Sequence, residues 1–105
     1  MWLFMSNAFL SVVDKGGDGT TLLVRARRTG EIEQVFPNAV VKEGGGTDYR
    51  YRARIKREDV ALKLAEEVRQ INYGNFKSTV KDHARDDAYM RVWDVMHRYQ
   101  EAQRV

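Results

Sequence analysis

Two kinds of side chain alternate strictly through residues 48–56, DYRYRARIK. The two parities are Tyr49, Tyr51, Ala53 and Ile55 on one side, and Arg50, Arg52, Arg54 and Lys56 on the other. A period of two is typical of a β-strand, because successive side chains of a strand point to opposite faces of the sheet. The segment therefore predicts a long strand whose tyrosines turn toward a core while its cations form a row on the other face.

A second basic strand is predicted at residues 21–28, TLLVRARR, where Arg25 and Arg27 share a parity opposite to that of Val24 and Ala26. The preceding residues KGGDGT contain three glycines, which supply the positive φ angles of a hairpin loop. We therefore expect this strand to pair antiparallel with AFLSVV, which ends the apolar segment at the start of the chain. We interpret that opening segment as core, not as a signal peptide, because it has no basic residue before its apolar run.

The remaining segments alternate in type along the chain. Residues 29–36 predict a short helix with Thr29 as its N-cap, ended by Pro37, and residues 39–43, AVVKE, predict a short strand. Asp59 is the expected cap of a helix whose apolar positions run from Val60 to Ile71 and whose exterior carries a Lys63–Glu67 pair. FKSTV at 76–80 is a short strand or a loop, and a long amphipathic helix begins near Asp82.

This order predicts an α+β fold of the ferredoxin-like (split βαβ) type. We expect an antiparallel sheet of about four strands, with an added N-terminal strand and a long C-terminal helix. The strands at 21–28 and 48–57 would then be central neighbours, and the N-terminal hairpin strand would take the edge that FKSTV holds in that topology. With 105 residues, the chain predicts a single domain spanning 1–105.

Composition narrows the setting of the protein. The chain has no cysteine, which excludes disulfides and thiolate metal sites and is typical of a reducing compartment, so we expect a cytoplasmic protein. No apolar run approaches the roughly 20 residues that a membrane-spanning helix needs, so no membrane partner is expected. The net charge of +3 is too small to indicate nucleic-acid binding by itself, but its distribution along the chain is uneven.

The two basic strands define the candidate binding site. If both turn their apolar parity to the helices, one sheet face carries the predicted binding residues Arg25, Arg27, Arg50, Arg52, Arg54 and Lys56. Such a face suits a nucleic acid or an acidic protein. The alternative is that each cation pairs with a nearby acid such as Glu31, Glu33 or Glu43 and is only solvated. Tyr49 and Tyr51 have the wrong parity for stacking on bases from this strand.

No catalytic signature stands out, so we predict a non-enzymatic protein without a cofactor. The glycine-rich segments are followed by no Lys-Ser/Thr and are interpreted as turns. KDHARDDAY at 81–89 gathers the residues Asp82, His83, Asp86 and Asp87. They could hold a divalent cation in a metal-assisted hydrolase, but acids at a helix start are more simply explained as caps and dipole partners, so no metal site is predicted.

The C-terminal helix carries more apolar side chains than one small sheet can cover. Tyr89, Val92, Met96 and Tyr99 form one stripe, which we expect to face the core, and Trp93 and Val95 flank it. The remaining apolar surface predicts docking of a partner, or a homodimer formed through this helix.

The chain as a whole resembles a family of small bacterial and phage-type proteins that begin Met-Trp-Leu/Ile-Phe. The matching pieces are MWLF at 1–4, FLSVV at 9–13, LLVRAR at 22–27, DYRYR at 48–52, YGNFKS at 73–78 and YMRVWDVM at 89–96. Members of that family have no assigned activity, so the resemblance implies no catalytic residue. It directs attention to the loop NYGNFKS, where Asn75 and Lys77 are further candidate binding residues or simply shape the turn.

Two functional hypotheses follow besides the metal-assisted hydrolase. The first is a binding module that engages a negatively charged macromolecule through the basic sheet face. The second is a phage or mobile-element inhibitor of a host defence complex, similar to an anti-CRISPR protein, that acts by protein–protein binding. Small size and an uneven charge distribution suit both.

Overall fold

A computed structural model describes residues 1–44 and 46–103, and the chain divides into two compact units, residues 1–72 and 73–105. In the first unit the elements are β1 (Trp2–Phe4), β2 (Phe9–Val13), β3 (Thr21–Ala26), α1 (Glu31–Val35), β4 (Lys42–Glu43), β5 (Tyr51–Lys56) and α2 (Arg57–Arg69). The second unit contains a short 3₁₀ helix (Phe76–Thr79) and α3 (His83–Ala102).

The strands described in the first unit form one antiparallel sheet of five strands in the order β1-β2-β3-β5-β4. The α+β class, with an antiparallel sheet and a C-terminal helix, is therefore confirmed. As expected, β3 and β5 are neighbours and β2 lies on the other side of β3. The finer ferredoxin-like assignment stays a prediction. The FKSTV segment, predicted as a short strand or a loop, forms a 3₁₀ helix over Phe76–Thr79, and Trp2–Phe4 adds an edge strand that the sequence pattern did not predict.

Both helices of the first unit pack on one face of this sheet. The strands contribute Leu10, Val24 and Ala53 to the core on that face, and Ile32 from α1 and Val60 from α2 cover them. Leu10, Val24 and Ile32 are fully buried. Complete burial of such side chains stabilises the fold by about 1.5–3 kcal/mol each, so this face holds the sheet and helices together.

The start of α1 differs from the prediction. Gly30, not Thr29, occupies the N-cap position, with φ 82° and no side-chain cap. The turn after β3 requires a left-handed residue there, which glycine adopts without strain, so the helix begins one residue later. Glu31 is buried instead of solvated, and its Oε1 accepts a hydrogen bond from the Phe9 backbone N–H at 2.8 Å. This bond ties the first turn of α1 to β2.

The transition from β5 into α2 also differs from the prediction. Lys56 is the N-cap and Asp59 lies in the first turn, because the Arg57 N–H donates to the Thr20 carbonyl at 2.8 Å and the helix starts directly from the strand. The Lys63–Glu67 pair is confirmed, with a distance of 3.4 Å from Nζ to Oε1. The helix ends at Arg69, so Ile71 lies beyond it and is exposed.

The predicted strand at residues 39–43 is reduced to Lys42–Glu43. Ala39 and Val41 pack against the core cluster and do not pair with the sheet, which shortens β4 to two residues. The outer side of β5 is therefore paired only at Tyr51 and Arg52 within the described residues.

The second unit is built around α3. Asp82 caps this helix, because its Oδ2 accepts the Arg85 N–H at 2.8 Å. The expected stripe on α3 does not face a core: no described residue of α3 is buried, and the exposed fraction reaches 74% at Tyr99. The core cluster of the first unit is formed by residues of that unit alone among the described residues. None of the described helices is long and apolar enough to cross a membrane.

Candidate anion-binding face

The second face of the sheet, away from α1 and α2, carries the cations of the central strands. In the antiparallel register Arg25 lies directly opposite Arg52, which in turn lies opposite Lys42, while Leu23 faces Arg54 and Thr21 faces Lys56. Directly opposed residues project from the same face of a sheet. The name basic face is used here for these five cations: Arg25, Lys42, Arg52, Arg54 and Lys56. The sequence pattern indicated all of them except Lys42.

One row of directly opposed residues crosses the whole sheet. The cross-strand row consists of Trp2, Ser11, Arg25, Arg52 and Lys42, one residue from each strand in spatial order. Neighbouring strands lie about 4.8 Å apart, so the row spans about 19 Å between its end backbones. An exposed indole thus begins a row that ends in three adjacent cations.

The three cations of this row have no acidic partner within the described residues. Arg25, Arg52 and Lys42 form no ion pair there, and the Nε atoms of both arginines are buried without a hydrogen-bond partner. Arg25 is held by a neutral group, because its Nη2 donates to Ser11 Oγ at 2.9 Å. Like charges directly opposite each other on a sheet are destabilising. In the part of the chain that the structure describes, none of these three cations pairs with Glu31, Glu33 or Glu43, the alternative raised by the sequence.

Arg27 does have an acidic partner. Its two terminal nitrogens donate to both Asp48 oxygens at 3.1 Å each, and this hydrogen bonding holds the pKa of Asp48 below its ordinary value. The charge of Arg27 is therefore largely neutralised by Asp48, unlike the charges of the cations in the cross-strand row. Of the six residues predicted to bind, Arg27 is the one that best fits the alternative, in which a cation pairs with a nearby acid and is only solvated.

Tyr49 does not follow the predicted alternation. The guanidinium carbons of Arg25 and Arg27 lie 4.4 and 4.1 Å from the centre of its ring, so it is buried beneath these arginines. The reason is local: β5 begins at Tyr51, and residues 48–50 form bends that end the alternation. Tyr51 keeps the predicted inward orientation against the core cluster. The ring of Tyr49 orients Arg25 by a cation–π contact.

Arg54 is positioned by the hairpin loop between β2 and β3. Its Nη2 donates to the Lys15 carbonyl at 2.6 Å. Gly16 has a φ of 72°, which favours glycine in this turn, and a Cβ atom there would lie only 2.8 Å from Arg54 Nη2, so a side chain at this position would displace the guanidinium. Across this loop Asp18 accepts two hydrogen bonds from Thr20, which, with a smaller contribution from Arg54, lower the pKa of Asp18.

A pocket opens between the basic face and the segment before β4. Its volume is about 320 Å³ and its walls are Leu23, Val40, Lys42, Arg52, Ala53 and Arg54. Three of these six residues are cations and none is an acid, so the lining favours an anionic group such as a phosphate or a carboxylate. The name basic pocket is used for this cavity. A larger groove of about 550 Å³ beside α2 mixes both signs of charge, including Asp59 and Glu66 with Lys63, and has no such preference.

Aromatic side chains occupy the other end of the same face. Trp2 is 66% exposed and its ring meets that of Phe9 edge-on at 6.2 Å, while Phe4 and Phe9 lie 4.8 Å apart. The register places all three on the parity of Ser11 and Arg25. Sequence reasoning assigned these rings to the core. The sequence did hold one signal against that assignment: Leu3 lies between Trp2 and Phe4, so a strand that turns Leu3 to the core turns both rings to the other face.

The other predicted binding residues lie elsewhere. Arg50 is exposed in the bend before β5, with its carbonyl accepting the Gly44 N–H at 3.0 Å. Asn75 and Lys77 belong to the second unit: the Asn75 side chain accepts the Lys77 N–H at 3.1 Å, and the Lys77 ammonium lies 5.5 Å from the centre of the Trp93 ring. These contacts are a turn and a cation–π contact within the second unit, which fits the simpler interpretation of this loop.

The candidate hydrolase residues also have local roles. Besides the cap made by Asp82, Asp87 pairs with Arg91 at 3.1 Å. Among the described residues, no group of three or more histidines and acids is placed to hold a metal ion. The acids at this helix start therefore give no support to the metal-assisted hydrolase.

The basic face combines three cations without an ion pair among the described residues, a pocket without acids and an exposed indole, and this distribution of charge would suit an anionic ligand. Comparisons of this chain with protein-family models, with curated proteins and with solved structures found no match.

Proposed function

We propose that this protein is a non-enzymatic binding module that holds a negatively charged macromolecule against its basic face. The observation that carries the proposal is the run of three adjacent cations, Arg25, Arg52 and Lys42, without an acidic partner among the described residues. Two arginine Nε atoms in this run are buried and unbonded. Repulsion between these like charges lowers the stability of the folded chain. An anion bound to all three cations would offset that loss.

The side chains around this run are held in place before any ligand arrives. Ser11 and Tyr49 fix Arg25, and the Lys15 carbonyl fixes Arg54. An arginine that is already ordered loses less conformational entropy when it binds a phosphate or carboxylate. Preorganisation of this kind supports a binding role over a purely solvated strand face.

A double charge reversal, Arg52→Glu with Arg54→Glu, tests the proposal. Retention on a heparin column and binding of fluorescent polyanions, both oligonucleotide and polyglutamate, are measured over a salt titration. We expect the variant to lose binding and to lose most of the salt dependence, because each cation–phosphate contact contributes roughly 0.7–0.9 to the slope of log affinity against log salt.

The matched control is Arg69→Glu, a charge reversal at an exposed position in the last turn of α2, on the helical side of the sheet. It is expected to leave the affinity near that of the natural protein. Equal binding by the double variant and the natural protein at every salt concentration would overturn the proposal. The inhibitor and hydrolase hypotheses have no specific contact in the described residues that favours them.

A further inference from the structure

We infer that the macromolecule is a single-stranded nucleic acid, with a base stacked on Trp2 and the phosphate backbone running along the cross-strand row into the basic pocket. This inference rests on the proposed function and names its ligand class. It comes from one juxtaposition: an exposed aromatic ring and three unpaired cations share a single row of the sheet.

Trp2 has the features of a stacking platform. Its indole is 66% exposed although it stands within an aromatic cluster, and the Phe9 ring lies at an interplanar angle of 73° to it, so the two rings are not stacked face to face. A base stacked on an aromatic side chain is bound without regard to sequence, because every base presents a π-face. Bases within a duplex already stack on each other, so an exposed indole favours a single strand.

The cations lie at spacings that suit a phosphate backbone. Two strand separations, about 10 Å, lie between Trp2 and Arg25, and Arg52 and Lys42 follow at one separation each. A chain that leaves its base on Trp2 would pass Arg25 and reach the basic pocket, where Arg52, Lys42 and Arg54 surround one anionic group. An aromatic ring at one end of the row and three cations at the other could contact both a base and the phosphates of one nucleotide chain, whereas an acidic peptide requires only the charges.

Fluorescence of Trp2 gives a direct readout. The chain has two tryptophans, so Trp93→Phe leaves Trp2 as the sole tryptophan, and its fluorescence is excited at a wavelength where the five tyrosines absorb little. This variant is titrated with an oligothymidylate single strand, with a duplex of the same length, and with polyglutamate. We expect quenching of Trp2 by the single strand, weaker binding of the duplex without quenching, and little binding of polyglutamate.

Substitution of Trp2 supplies the second arm. Trp2→Ala is expected to weaken single-strand affinity roughly 5- to 150-fold, and Trp2→Phe to retain most of it, because base–aromatic stacking accounts for that range. Both variants keep the three cations, so the salt dependence of binding stays unchanged. Circular dichroism verifies folding, and Trp2→Phe separates loss of stacking from loss of structure at the edge strand.

The outcomes distinguish failure of this inference from failure of the proposed function. If the polyanions bind with salt dependence but Trp2→Ala binds the single strand as well as the natural protein does, the inference is wrong and the anion-binding function stands. Tighter binding of polyglutamate than of the single strand identifies an acidic protein as the ligand and also overturns the inference. If no polyanion binds at low salt, both proposals fail.

Discussion

Neutralising one arginine in the cross-strand row is expected to make the protein more stable. Arg52 stands between Arg25 and Lys42, one strand separation from each, and has no acidic partner among the described residues. Directly opposed cross-strand pairs contribute about 0.2–1 kcal/mol, and like charges contribute with an unfavourable sign. Because Arg52 has two such neighbours, replacing it with Met should raise the free energy of unfolding by about 1 kcal/mol. Methionine keeps the apolar stem of the side chain.

Chemical and thermal denaturation measure this change. For a chain of this size, 1 kcal/mol corresponds to a rise in melting temperature of roughly 4–5 °C. The electrostatic part of the gain should shrink at about 1 M NaCl, where the Debye length falls to about 3 Å. In parallel, affinity for a polyanion should fall, so stability and binding change in opposite directions.

The same substitution at Arg69 is the control. Arg69 lies in the last turn of α2, where a cation interacts favourably with the helix dipole, so Arg69→Met is expected to lower stability slightly and to leave binding unchanged. A loss of stability in Arg52→Met at low salt would refute the reasoning, because it would mean that the Arg52 guanidinium has a stabilising partner in the folded chain.

Four further outcomes are expected. Asp48→Asn should lower stability at neutral pH, because the Arg27 hydrogen bonds depress the folded-state pKa of Asp48. The contribution of Asp48 is present above about pH 4 and is lost as the pH falls through that depressed pKa. The stabilities of the variant and the natural protein in urea titrations should therefore converge in acid. Leu10→Ala should cost about 2–5 kcal/mol in urea denaturation, since Leu10 is fully buried; a cost under 1 kcal/mol would contradict the core assignment. Gly16→Ala should cost about 1 kcal/mol or more because of its positive φ and should weaken polyanion binding by displacing Arg54; unchanged affinity would separate the loop from the site. If α3 forms a homodimer, Met96→Lys should give a monomer in sedimentation velocity; identical profiles would remove α3 as the interface.

The central part of the fold could be predicted from the sequence because its alternation coincides with regular strand backbone. Residues 51–56 and 21–26 keep their period of two throughout, so the neighbouring positions of β3 and β5 and the shared face of Arg25, Arg52 and Arg54 followed from parity. Tyr49 did not follow, because parity holds only while the backbone is extended and the bends at 48–50 interrupt it.

Other features had a weak or ambiguous local signal. β1 is three residues long and both of its faces are apolar, so Trp2 and Phe4 could not be separated from core residues without the register. Lys42 joined the basic face only through the register between β4 and β5, which the glycine-rich loop at 44–46 does not determine from composition. The prediction that the apolar stripe of α3 is buried was wrong for a different reason. Periodicity shows that a helix has an apolar side, but not what that side contacts.

The arrangement of charge explains both the layering of the first unit and its candidate function. The helices α1 and α2 pack on the face where the strands present apolar side chains, and a helix on the basic face would have to desolvate its cations further at an additional cost. An anion can cover those cations where a helix cannot, because it supplies the charge they lack. Trp2 adds little to the stability of the free protein, because its indole is 66% exposed and most of its apolar area is not buried. A stacked base would bury the ring. Residues that are expected to destabilise or hardly stabilise the isolated chain thus lie together on one row, and the single-stranded nucleic acid that we propose as the ligand would contact them all.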